Sequence, residues 1–310
     1  MTAVEKNIND RTVIIIAGPT AVGKTAIAIK LAQYFNTSII SADSRQCYKE
    51  ISIGTAKPSP EELNAVRHYF IDSFPVTEHI TAAGYERLAL GYLDEIFAGH
   101  QVAVVCGGTG LYLKALSEGL DDMPAVNTEL EEAVNEEYKT KGVKWLQEEV
   151  AKQDPIFYDQ GEKDNPARLL RALVFKLSTG ESILNYRTGR QKQRNFRMFK
   201  IVLELPREVL YERIDQRVDQ MMKDGLLDEA KAMYSYRHLK NLQTVGYTEL
   251  FQFFDGRYSL EEAVEKIKQH TRNYAKRQVT WFKKEKDAVY MTASDENIIE
   301  RMVQLYEQSI

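Results

Sequence analysis

A glycine-rich loop of the phosphate-binding type lies close to the start of the chain. Residues 18–25 read GPTAVGKT, which completes the pattern G-x-x-x-x-G-K-T. In such a loop the glycines let backbone N–H groups point at phosphate oxygens, the lysine adds a point charge, and the last hydroxyl can hold Mg²⁺. The predicted phosphate-binding residues are Gly18, Pro19, Thr20, Ala21, Val22, Gly23, Lys24 and Thr25, with Thr25 as the expected metal ligand.

The rest of the sequence bears on whether the bound phosphate is transferred. An enzyme that transfers a phosphoryl group from such a loop commonly has a second buried strand that ends in an acid and holds Mg²⁺. The best buried strand for that role, at 101–108, ends in glycines followed by Thr109. Asp72 is a weaker substitute, since a single aspartate at a strand end often serves a turn. The pattern disfavours a kinase but leaves that alternative open.

Asp43 ends the apolar run that follows the loop and its helix, in the stretch SADSRQCY. Residues at the carboxyl ends of parallel strands meet at the ligand crevice, so Asp43 is expected to face the loop, followed by Ser44, Arg45 and Gln46. An aspartate beside a phosphate site can act as a general base. The other interpretation is that Asp43 caps the following turn.

Five apolar runs predict buried strands. They are 12–18, 38–43, 68–72, 101–108 and 198–205. A helix-period segment between the first two completes a strand–helix–strand unit, which favours a mostly parallel sheet. We therefore predict an α/β fold of the P-loop NTPase-like class, with a mostly parallel sheet flanked by helices.

The segment 116–195 contains no convincing strand and its composition favours helices. Within it, Asn165 and Pro166 form a helix start, and Gly180 forms a stop. We predict an all-helical insertion at 116–195 between the two parts, 1–115 and 196–310, of a P-loop catalytic core with C-terminal helices.

Positive charge is concentrated in two stretches, although the chain has a net charge of −4. The first, 186–200, contains no acid and includes Arg187, Arg190, Lys192, Arg194, Arg197 and Lys200. The second, 270–286, places Arg272 and Lys276 four residues apart on one helical face. Each stretch alone is usually a solvated surface, but two together suggest binding to a phosphate backbone.

Two arginine pairs in helical segments have more than one interpretation. Arg213 and Arg217 lie four residues apart, either on a solvated helix face or as an anion clamp over the loop. Arg168 and Arg171 are similarly ambiguous.

No apolar run approaches the ~20 residues that span a bilayer, and the start of the chain, MTAVEKNINDR, is polar. The only cysteines, Cys47 and Cys106, are too few for a disulfide framework. We expect a cytoplasmic protein without a membrane partner.

Several motifs occur in an order that resembles the tRNA dimethylallyltransferases, also called tRNA isopentenyltransferases. They are GPTAVGKT (18–25), SADSRQCY (41–48), GTAKP (54–58), GGTGLYLKAL (107–116), RLLRAL (168–173), VGY (245–247) and TRNYAKRQVTWF (271–282). The resemblance implies transfer of a dimethylallyl group from dimethylallyl diphosphate to the exocyclic amine of the adenosine 3′-adjacent to the anticodon. In that reaction the loop binds diphosphate as a leaving group, so no strand-end acid is required.

The resemblance also implies roles for individual residues. Asp43 matches the general base, Thr25 lies near the metal and the leaving group, and Arg217 matches an arginine that binds the diphosphate. The residues that match tRNA-contacting positions are Asp43, Ser44, Arg45, Gln46, Thr109, Ala167, Arg168, Leu169, Leu170 and Arg171. The helical insertion is expected to grip the anticodon stem-loop of tRNA, with Mg²⁺ as cofactor and a monomer as the active form.

Two other functions stay open on the residues alone. One is a P-loop kinase of a nucleoside or small metabolite, and the other is an RNA-binding ATPase without transfer chemistry.

Overall fold

The computed structural model describes residues 11–309, so the polar segment before Arg11 lies outside the described residues. Within that range six strands form one sheet in the order β3-β2-β4-β1-β5-β6, with all neighbouring strands parallel. The strands are β1 (Thr12–Ala17), β2 (Ile39–Ser41), β3 (His68–Tyr69), β4 (Val102–Gly107), β5 (Arg197–Glu204) and β6 (Ala288–Thr292).

Twelve α-helices are present in the same described range. They are α1 (Lys24–Tyr34), α2 (Pro60–Ala65), α3 (Ala82–Phe97), α4 (Gly110–Glu118), α5 (Thr128–Gln153), α6 (Pro155–Gln160), α7 (Pro166–Thr179), α8 (Arg207–Lys223), α9 (Leu226–Met233), α10 (Tyr247–Phe254), α11 (Leu260–Phe282) and α12 (Ile298–Glu307). None of these helices is both long and apolar enough to cross a membrane.

The predicted parallel α/β sheet is confirmed, and each of the five predicted strands is present. The sixth strand, β6, is not among the predicted strands. It pairs with β5 at the edge of the sheet, and only Met291 of its five residues is buried. A short edge strand that is mostly accessible lacks the continuous apolar run by which a buried parallel strand is recognised.

The sheet is covered on both faces. Alternate side chains of β1 enter two different cores, with Val13 and Ile15 in one and Ile14 and Ile16 in the other. This follows from the two-residue period of a strand, which sends successive side chains to opposite faces. A run of isoleucines with no polar alternation is the pattern expected when both faces are buried.

The chain divides into two compact units. The larger unit contains the residues up to Ser117 and from Gln193 onward, and includes the whole sheet. The smaller unit is Glu118–Lys192, which is helical. Its core contains Leu146, Phe157 and Leu173.

The helices of the smaller unit begin and end where local sequence dictates. The side chain of Asn165 accepts a hydrogen bond from the N–H of Arg168, Pro166 occupies the first turn of α7, and Gly180 ends that helix in the left-handed conformation, as predicted. Helix α5 is interrupted at Gly142, whose φ of 77° and ψ of −174° are not helical.

Arg194 is an internal residue of the larger unit, and its prediction as part of a phosphate-binding surface is wrong. Its guanidinium lies 2.7 Å from the carboxylate of Glu86, and the two side chains are only 9% and 10% exposed. It also donates to the carbonyls of Ala115 at 2.8 Å and Leu116 at 2.9 Å. Lys200, in the same stretch, pairs with Glu285 at 3.0 Å.

Removing Arg194 alone is therefore expected to destabilise the protein. Arg194→Leu leaves the Glu86 carboxylate buried without a partner, which costs about 3–5 kcal/mol of unfolding free energy. Urea unfolding of Arg194→Leu and of the double variant with Glu86→Leu measures this, and the double variant should recover much of the loss. A single variant as stable as the parent protein would contradict the buried pair.

Candidate active site

The glycine-rich loop connects the end of β1 to the start of α1. Gly23 adopts a φ of 105°, a conformation that disfavours any residue with a side chain, and it directly precedes the first helical residue. The first backbone N–H groups of α1 are thereby open to an anion, which the helix dipole also favours. The Lys24 ammonium donates to the carbonyl of Pro19 at 2.7 Å, so its charge is held over the loop.

A cavity of about 230 Å³ lies at the mouth of this loop. Of the eight predicted phosphate-binding residues, the cavity is lined by Thr20, Ala21, Gly23, Lys24 and Thr25. Gly18, Pro19 and Val22 are buried. The cavity also receives Asp43 from the end of β2, Arg217 from α8 and Glu62 from α2.

Both arginines of the α8 pair reach the loop. Arg217 lines the cavity, and burial lowers the pKa of its guanidinium while nearby Glu62 opposes that shift. Arg213 donates to the carbonyl of Val22 at 3.4 Å. The geometry of Arg217 favours the anion clamp over a solvated helix face.

Lys24 is a half-buried cation. Burial lowers its pKa to about 8, while the neighbouring Cys106 and Asp43 partly oppose the shift. An ammonium that is poorly solvated in this way gains strongly from an anionic ligand, because the ligand replaces the solvation that burial has removed.

Asp43 caps the turn that follows β2. Its Oδ1 accepts the backbone N–H of Arg45 at 2.8 Å and that of Gln46 at 3.3 Å. Both contacts are made through one oxygen, which fixes the plane of the carboxylate. Asp43 therefore caps the turn through Oδ1, as one of the two interpretations predicts. Its Oδ2 remains available to accept a proton.

A second cavity, of about 200 Å³, shares Asp43, Arg217 and Tyr274 with the first. Its own walls include the apolar side chains of Val218, Met221, Leu226, Val245 and Ile267, for which it is named the apolar cavity, together with the polar residues Arg45, Thr244 and Thr271. Tyr274 is the one aromatic residue lining either cavity within the described part of the chain. Burial and the charge of Asp43 raise the pKa of Tyr274 to about 12, so the phenol stays protonated.

The turn after β4 supports the other two loops. Thr109 Oγ1 accepts the backbone N–H of Ser44 at 3.1 Å, so this predicted tRNA-contacting residue also holds the turn that contains Asp43. A side chain on Gly107 would lie 2.2 Å from the carbonyl oxygen of Ala42, which explains a glycine at that position.

Gln278 is a site residue that sequence reasoning missed. Its Oε1 accepts the backbone N–H of Thr20 at 2.9 Å, and its Nε2 donates to the carbonyl of Gly108 at 2.9 Å. The side chain is buried and ties the phosphate loop to the turn after β4. The only signal in the sequence is its place in the motif TRNYAKRQVTWF (271–282), which does not indicate a role for this glutamine.

The predicted tRNA-contacting residues of the smaller unit differ in exposure. Ala167, Arg168 and Arg171 are exposed, whereas Leu170 is half-buried. Leu169 is 0% exposed, so its side chain packs in the core and does not offer a surface to RNA. Arg168 pairs with Glu162.

Arg187 joins these two arginines although it is distant from them in the sequence. Burial lowers the pKa of its guanidinium, and the positive charges of Arg171 and Arg168 lower it further. Glu162 and Asp121 oppose this shift, so the cluster of three cations in the smaller unit has two acids beside it.

The donor set at the loop fits Mg²⁺. No group of three or more His, Cys, Asp or Glu side chains placed for a metal occurs in residues 11–309. Mg²⁺ is usually held by one or two protein oxygens together with substrate phosphates. Thr25, Asp43 and Glu62 supply hard oxygen donors around the first cavity.

Asp72, the strand-end acid considered above as a magnesium ligand for phosphoryl transfer, does not line the cavity at the loop. Asp72 adopts a φ of 50° and pairs with Lys57, and it lines neither of the two cavities described. This position weakens the kinase interpretation.

A P-loop α/β core with an aspartate facing the phosphate loop defines an enzyme that uses a phosphorylated substrate. The sequence profile of the IPP transferase family matches residues 46–285, and the chain belongs to that family.

Relatives and solved structures also point to this family. A tRNA dimethylallyltransferase of Cytophaga hutchinsonii is 46% identical over 89% of this chain and 91% of its own length. The tRNA dimethylallyltransferase 1 of Bacteroides thetaiotaomicron is 45% identical over 89% of this chain and 90% of its own. The crystal structure of the tRNA isopentenylpyrophosphate transferase of Bacillus halodurans matches with a TM-score of 0.70 and 33% identity, covering 96% of this chain and 95% of that one. A eukaryotic dimethylallyltransferase acting on tRNA matches with a TM-score of 0.79 and 27% identity, covering 96% and 79%.

The lowered pKa of Lys24 predicts how anion binding depends on pH. The protonated ammonium binds diphosphate, so affinity should be full below about pH 8 and fall as the pH rises above that value. Titration calorimetry with inorganic diphosphate between about pH 6.5 and about pH 9.5 measures this dependence. Lys24→Arg is the control, because it stays charged while the ionisation of the ligand is the same. Identical pH profiles for the two proteins would contradict the role of Lys24.

Proposed function

We propose that this protein transfers a dimethylallyl group from dimethylallyl diphosphate to the exocyclic amine of the adenosine 3′-adjacent to the anticodon in tRNA, releasing diphosphate. The observation that carries the proposal is the position of Asp43, which lines both the phosphate-loop cavity and the adjoining apolar cavity. Family membership and the curated relatives support the same reaction.

The two cavities match the two parts of the prenyl donor. Diphosphate would bind at the loop amides, Lys24 and Arg217, and a five-carbon apolar chain would lie among Val218, Met221 and Leu226. Apolar walls there remove the chain from water and keep competing water from the allylic carbon.

The transfer follows from these positions. The adenine amine attacks the first carbon of the allyl group, a C–N bond forms, and the C–O bond to diphosphate breaks with its electron pair on the departing oxygen. Asp43 accepts the proton that the amine loses. Lys24, Arg217 and the loop N–H groups stabilise the charge on the leaving group. Mg²⁺, held by Thr25 and a neighbouring carboxylate, would neutralise further charge on the diphosphate.

For tRNA, we propose that the arginine cluster Arg168, Arg171 and Arg187 of the smaller unit contacts the phosphate backbone of the anticodon stem-loop. A nucleotide in a loop costs less to extrude into a pocket than one stacked in a helix, which suits an adenosine beside the anticodon. In the larger unit, the turn Asp43–Gln46 and Thr109 would contact the extruded nucleotide. The proposed setting is the cytoplasm, with a monomer as the active form.

The function is tested with unmodified tRNA and either dimethylallyl diphosphate or ATP, followed by mass spectrometry of the RNA. We expect one dimethylallyl group per accepting tRNA with the first donor and no change with ATP. Phosphoryl transfer from ATP to any acceptor, without prenylation, would instead support the kinase alternative.

Asp43→Asn tests the chemistry at the junction of the cavities. An asparagine still caps the turn through its carbonyl oxygen, but it cannot accept a proton near neutral pH. We expect single-turnover prenylation to slow by roughly a hundred- to ten-thousandfold, with tRNA affinity much less changed. A variant within about threefold of the parent rate, small against that range, would leave Asp43 with a capping role alone.

The arginine cluster predicts a particular salt dependence of tRNA binding. Each phosphate contact contributes a slope of roughly −0.7 to −0.9 in a plot of log affinity against log salt, so replacing Arg168, Arg171 and Arg187 by alanine should flatten the slope by roughly two to three. The matched control replaces Lys139, Lys141 and Lys152, three exposed cations of the same unit that each pair with a glutamate, as Arg168 also does. Equal slopes for the two triple variants would place the RNA-binding surface elsewhere.

A further inference from the structure

Glu229 of α9 organises a short turn that lies far from it in the sequence. Its Oε2 accepts the backbone N–H groups of Ser52 at 2.8 Å and Ile53 at 2.9 Å. Its Oε1 accepts the N–H of Gly54 at 2.9 Å and the hydroxyl of Tyr247 at 2.5 Å. One carboxylate thus receives four hydrogen bonds, three of them from consecutive backbone amides outside any helix or strand.

The turn held by Glu229 leads directly into the wall of the proposed reaction site. Thr55 and Ala56, the next two residues, line both the phosphate-loop cavity and the apolar cavity. Their carbonyl oxygens accept the side-chain amide of Gln46 at 3.3 and 3.0 Å. The backbone N–H of Gln46 in turn donates to Asp43 Oδ1. A continuous series of contacts therefore runs from Glu229 to the carboxylate of Asp43.

The packing around the turn leaves little freedom for another arrangement. A side chain on Gly54 would lie 2.6 Å from the hydroxyl of Tyr247, so the tyrosine ring lies directly against the backbone of the turn. Tyr247 is itself fully buried. Three converging N–H groups form a concave site that only an acceptor with several lone pairs can satisfy, and a carboxylate supplies them.

We propose that Glu229 is a positioning residue for the transfer reaction, which fixes residues 52–56 and, through Gln46, the plane of the Asp43 carboxylate. Glu229 lines neither cavity, so it acts without touching a substrate. The inference rests on the proposed function, because its effect is exerted on the proton acceptor of that reaction.

The test is Glu229→Gln, studied alone and combined with Asp43→Asn. The amide can accept through one atom only and turns an NH₂ group toward backbone N–H donors, so the turn loses its anchor. Because small displacements of reacting groups cost up to about a hundredfold, we expect single-turnover prenylation to slow by roughly ten- to a hundredfold. Binding of dimethylallyl diphosphate, measured separately, should change less than the rate, since the phosphate loop is held independently by Gln278.

The double variant separates positioning from general destabilisation. If Glu229 acts through Asp43, adding Glu229→Gln to Asp43→Asn should slow the reaction little further. The control is Glu262→Gln, which alters a carboxylate contact to one backbone N–H, that of Ser259 at the start of α11, and should leave the rate unchanged. Full multiplication of the two single effects, or a Glu229→Gln rate equal to that of the parent, would overturn the inference.

Tyr247→Phe provides a second route if Glu229→Gln does not fold. It removes one donor to the carboxylate and keeps the ring, and we expect a smaller slowing that also disappears in the Asp43→Asn background. A Tyr247→Phe effect that persists in that background would overturn the inference by this route. Failure of the parent protein to prenylate tRNA would refute the proposed function itself, whereas a fast Glu229→Gln enzyme would refute only the positioning role.

Discussion

β4 lies between β1 and β2. Its hydrogen bonds to both strands bring the three chain segments that follow these strands together at the carboxyl ends of the sheet. In this register Ala17 is opposite Gly107, and Ser41 is opposite Cys106. The phosphate loop, the turn of Asp43 and the turn of Thr109 follow those positions directly. The approach is close enough that the middle strand ends in a glycine, because a side chain at 107 would collide with the backbone after β2.

Two side chains from later in the sequence stabilise these loops by hydrogen bonds to their backbones. Gln278 of α11 bridges the phosphate loop and the β4 turn, and Glu229 of α9 holds the 52–54 turn. Both use their polar atoms on backbone groups, which restrains main-chain positions and leaves the cavity side chains to the ligand. The C-terminal helices of the larger unit thereby contribute to the site mainly as supports.

Features that depend on interactions between neighbouring residues could be predicted from the sequence. The phosphate loop, the buried strands and the start of α7 each follow from neighbouring residues, and the sequence alone was sufficient for them. Arg194 was misassigned because its partner Glu86 lies 108 positions away, so a basic stretch in the sequence concealed an internal ion pair. Gln278 escaped notice for the same reason, since its contact with Thr20 spans 258 positions. β6 is short and mostly accessible, which removed the burial signal.

The division of the chain has a consequence for the order in which the protein folds during synthesis. The smaller unit is continuous in sequence, and its ends meet where the N–H of Lys192 donates to the carbonyl of Glu118 at 2.7 Å. The larger unit is discontinuous, because β5 and β6 follow the smaller unit in the chain. A ribosome therefore releases every residue of the helical unit while the sheet still ends at β1. Until β5 emerges, β1 presents an unpaired edge of apolar residues, the kind of edge to which chaperones and other nascent chains bind.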